Sequence, residues 1–449
     1  MGFIVVYLLF ALSCMLGLIM PPLGVAAFYF FNLLDPVWNW RWDITEDPGF
    51  QKWLALTLLA GFVQNRAWTY KFSRFSVYAI GCITTFLLLS YISSFFAVSS
   101  EKSNIYLDLL WRIVLVVSIS LLVIVDEKRA ILLAVACIFG QAYNSFQINL
   151  EYLQLGFCRY AYMANWGMKG LDNNTYSILT VPVLALSLAF ILSPWKWWIR
   201  GIFAGIFCLQ VHQIMMMESR GSMLGACLAA VIAVWYCPKK PVTVMVLIVG
   251  FLLVSSLAGP PVIREFSTIF SEEEERDVST ESRFYLWKAG AGIIWDYPLL
   301  GVGPGNSSLV VPKYYDFKGL QAGTEKALHN LFFEVMCENG VIAGSIYFAY
   351  FLVPWAFLFY KRKRFLYENP RQCTLALGVI AGIPGYFLAS MFSSGSLIES
   401  SYILPIIACA LLSIRPASTD HEETDFISDI DRDRDQERRP EFPKVMQRA

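Results

Sequence analysis

The sequence has few charged residues. Only 16% of its 449 residues are Asp, Glu, Lys or Arg, whereas 57% are hydrophobic, and the mean hydropathy is +0.53. Water-soluble domains carry about 25% charged residues, so this composition excludes an ordinary soluble domain. Basic residues are nowhere clustered and interleaved with aromatic residues, so we expect no nucleic-acid partner.

The sequence also lacks paired cysteines and internal repeats. Its ten cysteines are scattered, mostly inside apolar stretches, and none forms a CxxC pair. Buried cysteine commonly acts as a small hydrophobic residue, so we expect neither a disulfide framework nor a metal site, and no cofactor. Without a visible repeat, the sequence gives no sign of the two-fold pseudo-symmetry that many transporters have.

Long apolar stretches are present instead, mostly long enough to span a bilayer as a helix. They predict an all-α, polytopic integral membrane protein with about 12 (12–13) transmembrane helices. The first stretch reads as a retained membrane segment rather than a removed signal peptide. Pro21-Pro22 follows it, and proline breaks a helix, so the first two stretches are either one broken helix or two. The predicted spans are 3–20, 23–34, 52–63, 75–96, 106–125, 130–150, 176–192, 201–217, 223–236, 242–258, 341–360, 374–392 and 397–413.

Short basic connections predict the orientation. They alternate along the chain with acidic or nearly uncharged connections, and basic loops stay in the cytoplasm. This rule divides the chain into an N-terminal bundle (1–258), a large extracytoplasmic loop with active-site helices (259–340), C-terminal spans (341–413) and a cytoplasmic tail (414–449). The tail is mixed in charge and poor in large apolar residues, which is typical of disorder. The basic connections carry Arg66, Lys71, Arg74, Lys128, Arg129, Lys196, Arg200, Lys239, Lys240 and Lys361–Arg364.

Arg220 lies in a tight connection on the predicted outer face. Its guanidinium either extends to the lipid headgroups or binds a phosphate, because it is always charged and donates paired hydrogen bonds. Gln213 lies on the same helical face and continues a polar stripe inward. His212 lies beside this stripe and is either a functional residue within the membrane or a satisfied core histidine.

The extracytoplasmic loop carries Arg283 and His329. We expect Arg283 at the start of a helix over 282–295, where unpaired N–H groups favour anions, although a salt bridge to the neighbouring acidic run is an alternative. We expect His329 on a helix over 324–339 that ends at Gly340. A histidine there suits general-base chemistry near neutral pH, and Asn330 could orient it.

Several segments in this order resemble the O-antigen ligase/polymerase superfamily of bacterial membrane glycosyltransferases. They are Ser219-Arg220-Gly221, Arg283-Phe-Tyr-Leu-Trp, Tyr297-Pro-Leu-Leu-Gly-Val-Gly-Pro-Gly305, His329-Asn330 and Glu338-Asn-Gly340-Val-Ile-Ala-Gly344. The resemblance covers about residues 176–413. Gly170-Leu-Asp172-Asn173-Asn174, followed by Pro182, further resembles the O-glycosylation ligases associated with exosortase systems.

The resemblance implies transfer of a glycan from undecaprenyl pyrophosphate to a hydroxyl acceptor on the periplasmic face of the bacterial inner membrane. It implies that Arg220 and Arg283 hold the pyrophosphate and that His329 engages the acceptor hydroxyl, in an inverting transfer that needs no metal. Asn330, Asp172, Asn173 and Gln213 are expected to contact substrate, although Asp172 could simply cap the helix that begins near Thr175.

Other functions remain open at this stage. The same donor site would serve a polymerase of lipid-linked repeats, and the acceptor could be a lipid, a polysaccharide or a protein, which the exosortase-like segment favours. A transporter of anions or lipid-linked glycans would use the arginines only for passage. A scaffold for a glycan-export complex would tolerate the loss of both Arg220 and Arg283.

Overall fold

A computed structural model describes residues 2–163, 167–168, 171–238, 278–314 and 325–414 of the chain. Within these ranges every regular element is helical, and residues up to Ser413 form one compact unit. The predicted all-α class is therefore confirmed. The predicted span 242–258, the acidic run 272–275 and the tail from 415 onwards lie outside the described residues.

The helices agree with the predicted spans to within a few residues at most ends. Larger differences occur where the helix assignment continues across a kink, as in Leu331–Tyr360 with its break at Gly340, or where a span starts with a 3-10 turn, as at Glu399. The longer helices are Gly2–Ile19, Pro21–Leu34, Phe50–Gln64, Arg74–Ser94, Ser100–Val123, Glu127–Leu155, Asn173–Leu192, Trp197–Met216, Arg220–Tyr236, Val278–Asp296, Leu331–Tyr360, Arg362–Glu368, Pro370–Ser390 and Ile403–Leu412.

Membrane spans are identified among these helices by length and hydropathy. In the described part of the chain, eight helices are long and apolar enough to cross a bilayer, and Arg220–Tyr236 and Glu399–Leu412 are shorter apolar segments. The chain is thus a polytopic membrane protein, although the predicted number of about 12 spans is not confirmed. Exposed aromatic side chains lie at both ends of the bundle, for example Trp42 and Trp295 at one end and Trp197 and Trp235 at the other, as expected at membrane interfaces.

The first two helices form a hairpin, so the idea of one broken helix is wrong. Phe10 and Phe31 lie on different helices, yet their ring centroids are 6.0 Å apart. Across a single continuous helix, residues 21 positions apart would be separated by about 30 Å. The chain therefore reverses at Pro21, and Gly17 and Gly24 allow close contact beside the turn, because a Cβ built on Gly24 would lie 2.9 Å from the Gly17 Cα.

The centre of the bundle consists of Asn173–Leu192 and Pro370–Ser390, the most buried of the eight candidate spans in the described ranges. Small residues permit close packing at their crossings, as is common between helices in membranes. A Cβ built on Gly225 would lie 2.5 Å from the Gly385 carbonyl oxygen, which places Arg220–Tyr236 directly against Pro370–Ser390. These helices fix the positions of the connections at their ends.

The basic connections meet at one end of the bundle, called here the basic end. Arg129 lies 4.4 Å above the Tyr70 ring, Glu127 pairs with Arg371 at 3.3 Å, and Arg362 lies over Tyr236. Residues 297–307 lie at the opposite end, where Val302 accepts a hydrogen bond from Val98 N and Pro304 accepts one from Ser103 Oγ. The structure thus separates the basic connections from the segments predicted to carry chemistry.

Candidate functional site

Four segments of the chain contact one short loop, residues 391–396, at the end of the bundle opposite the basic end. Asn330 Nδ2 donates to the Met391 carbonyl at 3.1 Å. The Arg283 guanidinium lies 6.0 Å from the centre of the Phe392 ring. A Cβ built on Gly221 would lie 2.6 Å from Phe392 Cβ, and Thr175 shares a hydrogen bond of 3.3 Å with Ser393. This loop therefore joins the starts of three helices to the arginine of the helix Val278–Asp296.

Arg220 is the first residue of the helix Arg220–Tyr236 and is half-buried. Glu218 precedes it with a φ of +55°, a left-handed conformation that is uncommon outside glycine. The turn is held in place by Ser219 Oγ, which donates to Asn174 Oδ1 at 3.0 Å. The next residue, Gly221, packs against Phe392, so Arg220 starts its helix beside the loop that Arg283 also contacts.

Arg283 lies within a helix rather than at its start. The helix begins at Val278, four residues before the predicted position, so the unpaired N–H groups of its first turn belong to residues other than Arg283. The prediction that helix-start N–H groups assist Arg283 is therefore wrong. The side chain is half-buried and lies over the face of the Phe392 ring. The ring of Trp287 packs against the same phenylalanine, with 6.1 Å between the ring centroids.

His329 precedes its helix rather than lying on it. The helix begins at Leu331, and the Asn330 side chain caps it by accepting hydrogen bonds from Phe332 N at 2.9 Å and Phe333 N at 3.3 Å. The predicted helix over 324–339 is thus wrong at its start, whereas the predicted break at Gly340 is confirmed by a φ of +82°. His329 itself has a φ of +49°. Strained backbone of this kind is concentrated at functional sites.

The surroundings of His329 favour its neutral form. Burial lowers the pKa of the imidazole, the positive charges of Arg283 and Lys326 lower it further, and the negative charge of Asp172 raises it. A neutral imidazole can accept a proton, whereas a protonated one cannot. The charges of Arg283 and Asp172, two of the predicted site residues, therefore act on the predicted base.

The neighbours of His329 should control the pH dependence of activity. If the neutral imidazole is the base, kcat/KM rises with pH as the solution passes through its pKa, which is lowered from its ordinary value. Asp172→Asn removes the charge that raises this pKa, so the acidic limb should move to lower pH; asparagine also retains the helix cap. Lys326→Gln should move the limb to higher pH, and Lys288→Gln, an exposed control, should leave it in place. Shifts of Asp172→Asn and Lys326→Gln in the same direction would contradict this assignment.

Asp172 and Asn173 lie where the helix Asn173–Leu192 begins. Asp172 is its N-cap and accepts a hydrogen bond from Thr175 N at 2.8 Å, so the capping role is confirmed. Asn173 Nδ2 donates to the Met217 carbonyl at 2.8 Å and so fastens this helix to the turn before Arg220. Both residues border the site, and their contact with substrate stays a prediction.

Asn330 and Gln213 use their amide groups inside the protein. Asn330 is 1% exposed, with its oxygen in the helix cap and its nitrogen on Met391. Gln213 is fully buried, where it accepts a hydrogen bond from Ser145 Oγ at 2.6 Å and donates to Thr180 Oγ1 at 3.0 Å. Their roles in binding substrate are untested predictions, and the contacts seen here are structural. His212 similarly has a protein partner, Asn149.

The glycine-rich turn at residues 297–307 has its N–H groups engaged with other parts of the protein. Val302 N and Gly303 N donate to the carbonyls of Cys337 and Glu338 at 2.8 and 3.0 Å, and Gly305 N donates to the Glu338 carboxylate at 2.9 Å. Gly303 has a φ of +99°, and a Cβ there would lie 2.3 Å from the Ala97 Cβ. The turn is therefore a packing element rather than an anion-binding loop.

Sequence reasoning missed Phe392 and the side chain of Glu338. Nothing in the local sequence marks Phe392, because its importance comes from contacts with residues over 100 positions away. Glu338 stands in a segment that carries the family resemblance, and a carboxylate two residues before a helix-breaking glycine was the available signal. Its burial, at 4% exposed, becomes visible only in the folded chain.

The fold and the site together define a polytopic membrane protein with cationic side chains and a histidine gathered at one end of its bundle. A family model described as O-antigen ligase matches residues 207–348, which include Arg220, Arg283 and His329. The resemblance to the O-antigen ligase superfamily is therefore confirmed, whereas an association with exosortase systems is not shown. No curated protein matches the chain.

Proposed function

We propose that this chain is a membrane glycosyltransferase that transfers a glycan from undecaprenyl pyrophosphate to a hydroxyl acceptor. The observation that carries the proposal is the shared contact of Gly221, Arg283 and Asn330 with residues 391–392, next to His329. The family match to O-antigen ligase supports a glycosyl-transferring enzyme, and the proposed donor and acceptor are those that the resemblance to this family implies.

In this proposal the two arginines bind the pyrophosphate. Guanidinium groups form paired hydrogen bonds with phosphate oxygens, and their charge stabilises the negative charge that develops as the diphosphate leaves. Diphosphate is a good leaving group and needs no general acid. We therefore propose a transfer independent of metal, with inversion at the sugar carbon because the acceptor attacks opposite the departing pyrophosphate.

His329 would accept the proton of the attacking hydroxyl. Its burial and the nearby Arg283 keep the imidazole neutral, as a base requires. We further propose that the site faces the periplasm of the inner membrane and that the C-terminus is cytoplasmic, because the basic connections lie at the other end of the bundle. The acceptor is a protein, a lipid or a polysaccharide.

The lipid-linked glycans of the host provide the test. Loss of this protein should cause glycan to accumulate on undecaprenyl pyrophosphate, and mass spectrometry of the extracted lipid fraction measures both its amount and its chain length. Long chains would identify a ligase, and single repeats would identify a polymerase. A plasmid copy of the wild-type chain should reverse the accumulation, whereas His329→Ala expressed at the same level should not. An unchanged lipid fraction would contradict the proposal.

A further inference from the structure

Glu338 lies on the kinked helix, Leu331–Tyr360, two residues before the break that ends its first segment. The helix breaks at Gly340, whose φ of +82° and ψ of +167° are non-helical. The break frees the carbonyls of Cys337 and Glu338, which accept hydrogen bonds from Val302 N and Gly303 N. A Cβ on Gly340 would lie 2.1 Å from the Leu299 carbonyl oxygen, so only glycine allows this approach.

The buried side chain of Glu338 also accepts hydrogen bonds from the turn at residues 297–307. One carboxylate oxygen accepts a hydrogen bond from Gly305 N at 2.9 Å, and the other accepts one from Ser307 Oγ at 2.7 Å. Ser307 N contributes a longer bond of 3.4 Å. The residue is 4% exposed, so water cannot replace these bonds. The backbone and side chain of one residue therefore fasten residues 297–307 to the kinked helix.

This turn directly follows the helix that carries Arg283. That helix, Val278–Asp296, packs along the first segment of the kinked helix through Leu286, Ala289 and Ile293, with Cys337 in the same buried cluster. Cys337 Sγ also donates to the Gly290 carbonyl at 3.2 Å. Arg283 and His329 thus lie on two packed segments that Glu338 joins near their far ends.

Because Glu338 is far from Arg283, a small change in helix tilt near Glu338 would move Arg283 by a large distance. Arg283 is 13 residues before the end of its helix, or about 20 Å along the axis at the helical rise per residue. A tilt of about 10° at the turn would therefore move Arg283 by about 3 Å relative to His329. A displacement of about 1 Å at a reacting centre can lower a rate about 100-fold.

We propose that Glu338 is a positioning residue, which sets the place of Arg283 relative to His329 by fastening residues 297–307 to the kinked helix. The proposal rests on the proposed function, because it assigns Glu338 an effect on transfer through Arg283. Glu338 acts without touching the substrate. Its contribution is a hydrogen-bond pattern, and its charge is not required.

The test compares four single variants of the full-length chain. Transfer is measured in membranes of host cells that lack the chromosomal copy, with the glycan accumulated there on undecaprenyl pyrophosphate as the donor. Glu338→Ala should lower kcat about 100-fold. Glu338→Gln should stay within about threefold of wild type, because its oxygen can accept from Gly305 N while its amide donates to Ser307 Oγ. The other two variants are Glu127→Ala and Arg283→Lys.

Glu127→Ala is the matched control. Its carboxylate accepts hydrogen bonds from Asn369 and Gln372 at the basic end of the bundle, at 3.1 and 2.8 Å. Its loss should destabilise the protein without moving Arg283, so kcat should stay within about twofold of wild type at equal amounts of extracted protein. A kcat loss in Glu127→Ala as large as that in Glu338→Ala would overturn the proposal.

A double-mutant cycle separates positioning from simple damage. If Glu338 acts through Arg283, Glu338→Ala combined with Arg283→Lys should be no more than about threefold slower than Arg283→Lys alone. Independent effects would multiply to a further loss of about 100-fold and would overturn the proposal, as would a wild-type kcat in Glu338→Ala. If Glu338→Ala is not recovered in membranes, Ser307→Ala replaces it with an expected loss of about tenfold and the same coupling. Activity retained by His329→Ala would refute the proposed function instead.

Discussion

Replacing His329 by alanine is expected to lower the rate of glycan transfer by about 100- to 10,000-fold, the range that a general base contributes. The imidazole is half-buried, and its burial and the positive charge of Arg283 lower its pKa, which favours the neutral form. KM for the lipid-linked donor should change little, because the arginines bind the pyrophosphate and the histidine engages the acceptor. The measurement is the rate of transfer at saturating donor, with the amount of protein in the membrane determined in parallel.

Two further variants separate the chemistry of His329 from its backbone. His329 has a φ of +49°, which asparagine adopts more readily than alanine. His329→Asn should therefore preserve the local conformation and the helix cap at Asn330 while removing the base, and it should be as inactive as His329→Ala. His212→Gln, which changes a histidine inside the bundle, is the control and should retain activity. Substantial transfer by His329→Asn would exclude a base at this position.

The membrane helices were predictable because their signal is local. A stretch of about 20 apolar residues has few alternatives to a spanning helix, so most predicted spans, such as 176–192, coincide closely with a helix in the structure. Alternation of the connections also placed Arg220, Arg283 and His329 at one end. The sequence does not determine the hairpin at Pro21, because a proline pair breaks a helix without fixing the direction of the chain after it.

The details of the site depended on competing local signals and on distant contacts. Thr324 and Asn330 are both suitable helix caps, and the helix begins after the second, which also bonds to the Met391 carbonyl. That contact spans 61 positions and cannot be seen in either segment alone. The roles of Phe392 and Glu338 could not be predicted for the same reason, because each depends on contacts with segments that are remote along the chain.

Replacing Arg283 by lysine is expected to lower transfer by about 100- to 1,000-fold, comparable to the loss of one preorganised hydrogen-bond donor at a developing anion. Lysine retains the positive charge but loses the planar fork that matches phosphate oxygens. If the arginine merely formed a salt bridge with acidic residues, lysine would replace it with little effect. The rate at saturating donor therefore distinguishes binding of the pyrophosphate from a structural ion pair.

Comparison with Arg283→Gln isolates the effect of the charge on His329. The positive charge of Arg283 lowers the pKa of that imidazole, and lysine preserves this influence whereas glutamine removes it. The pKa should therefore rise in Arg283→Gln, and the acidic limb of kcat/KM should move to higher pH, while in Arg283→Lys it should stay in place. Arg371→Lys, a surface variant at the basic end, is the control for the substitution itself. Wild-type turnover in Arg283→Lys, or an unmoved acidic limb in Arg283→Gln, would mean that Arg283 and His329 do not work as one site.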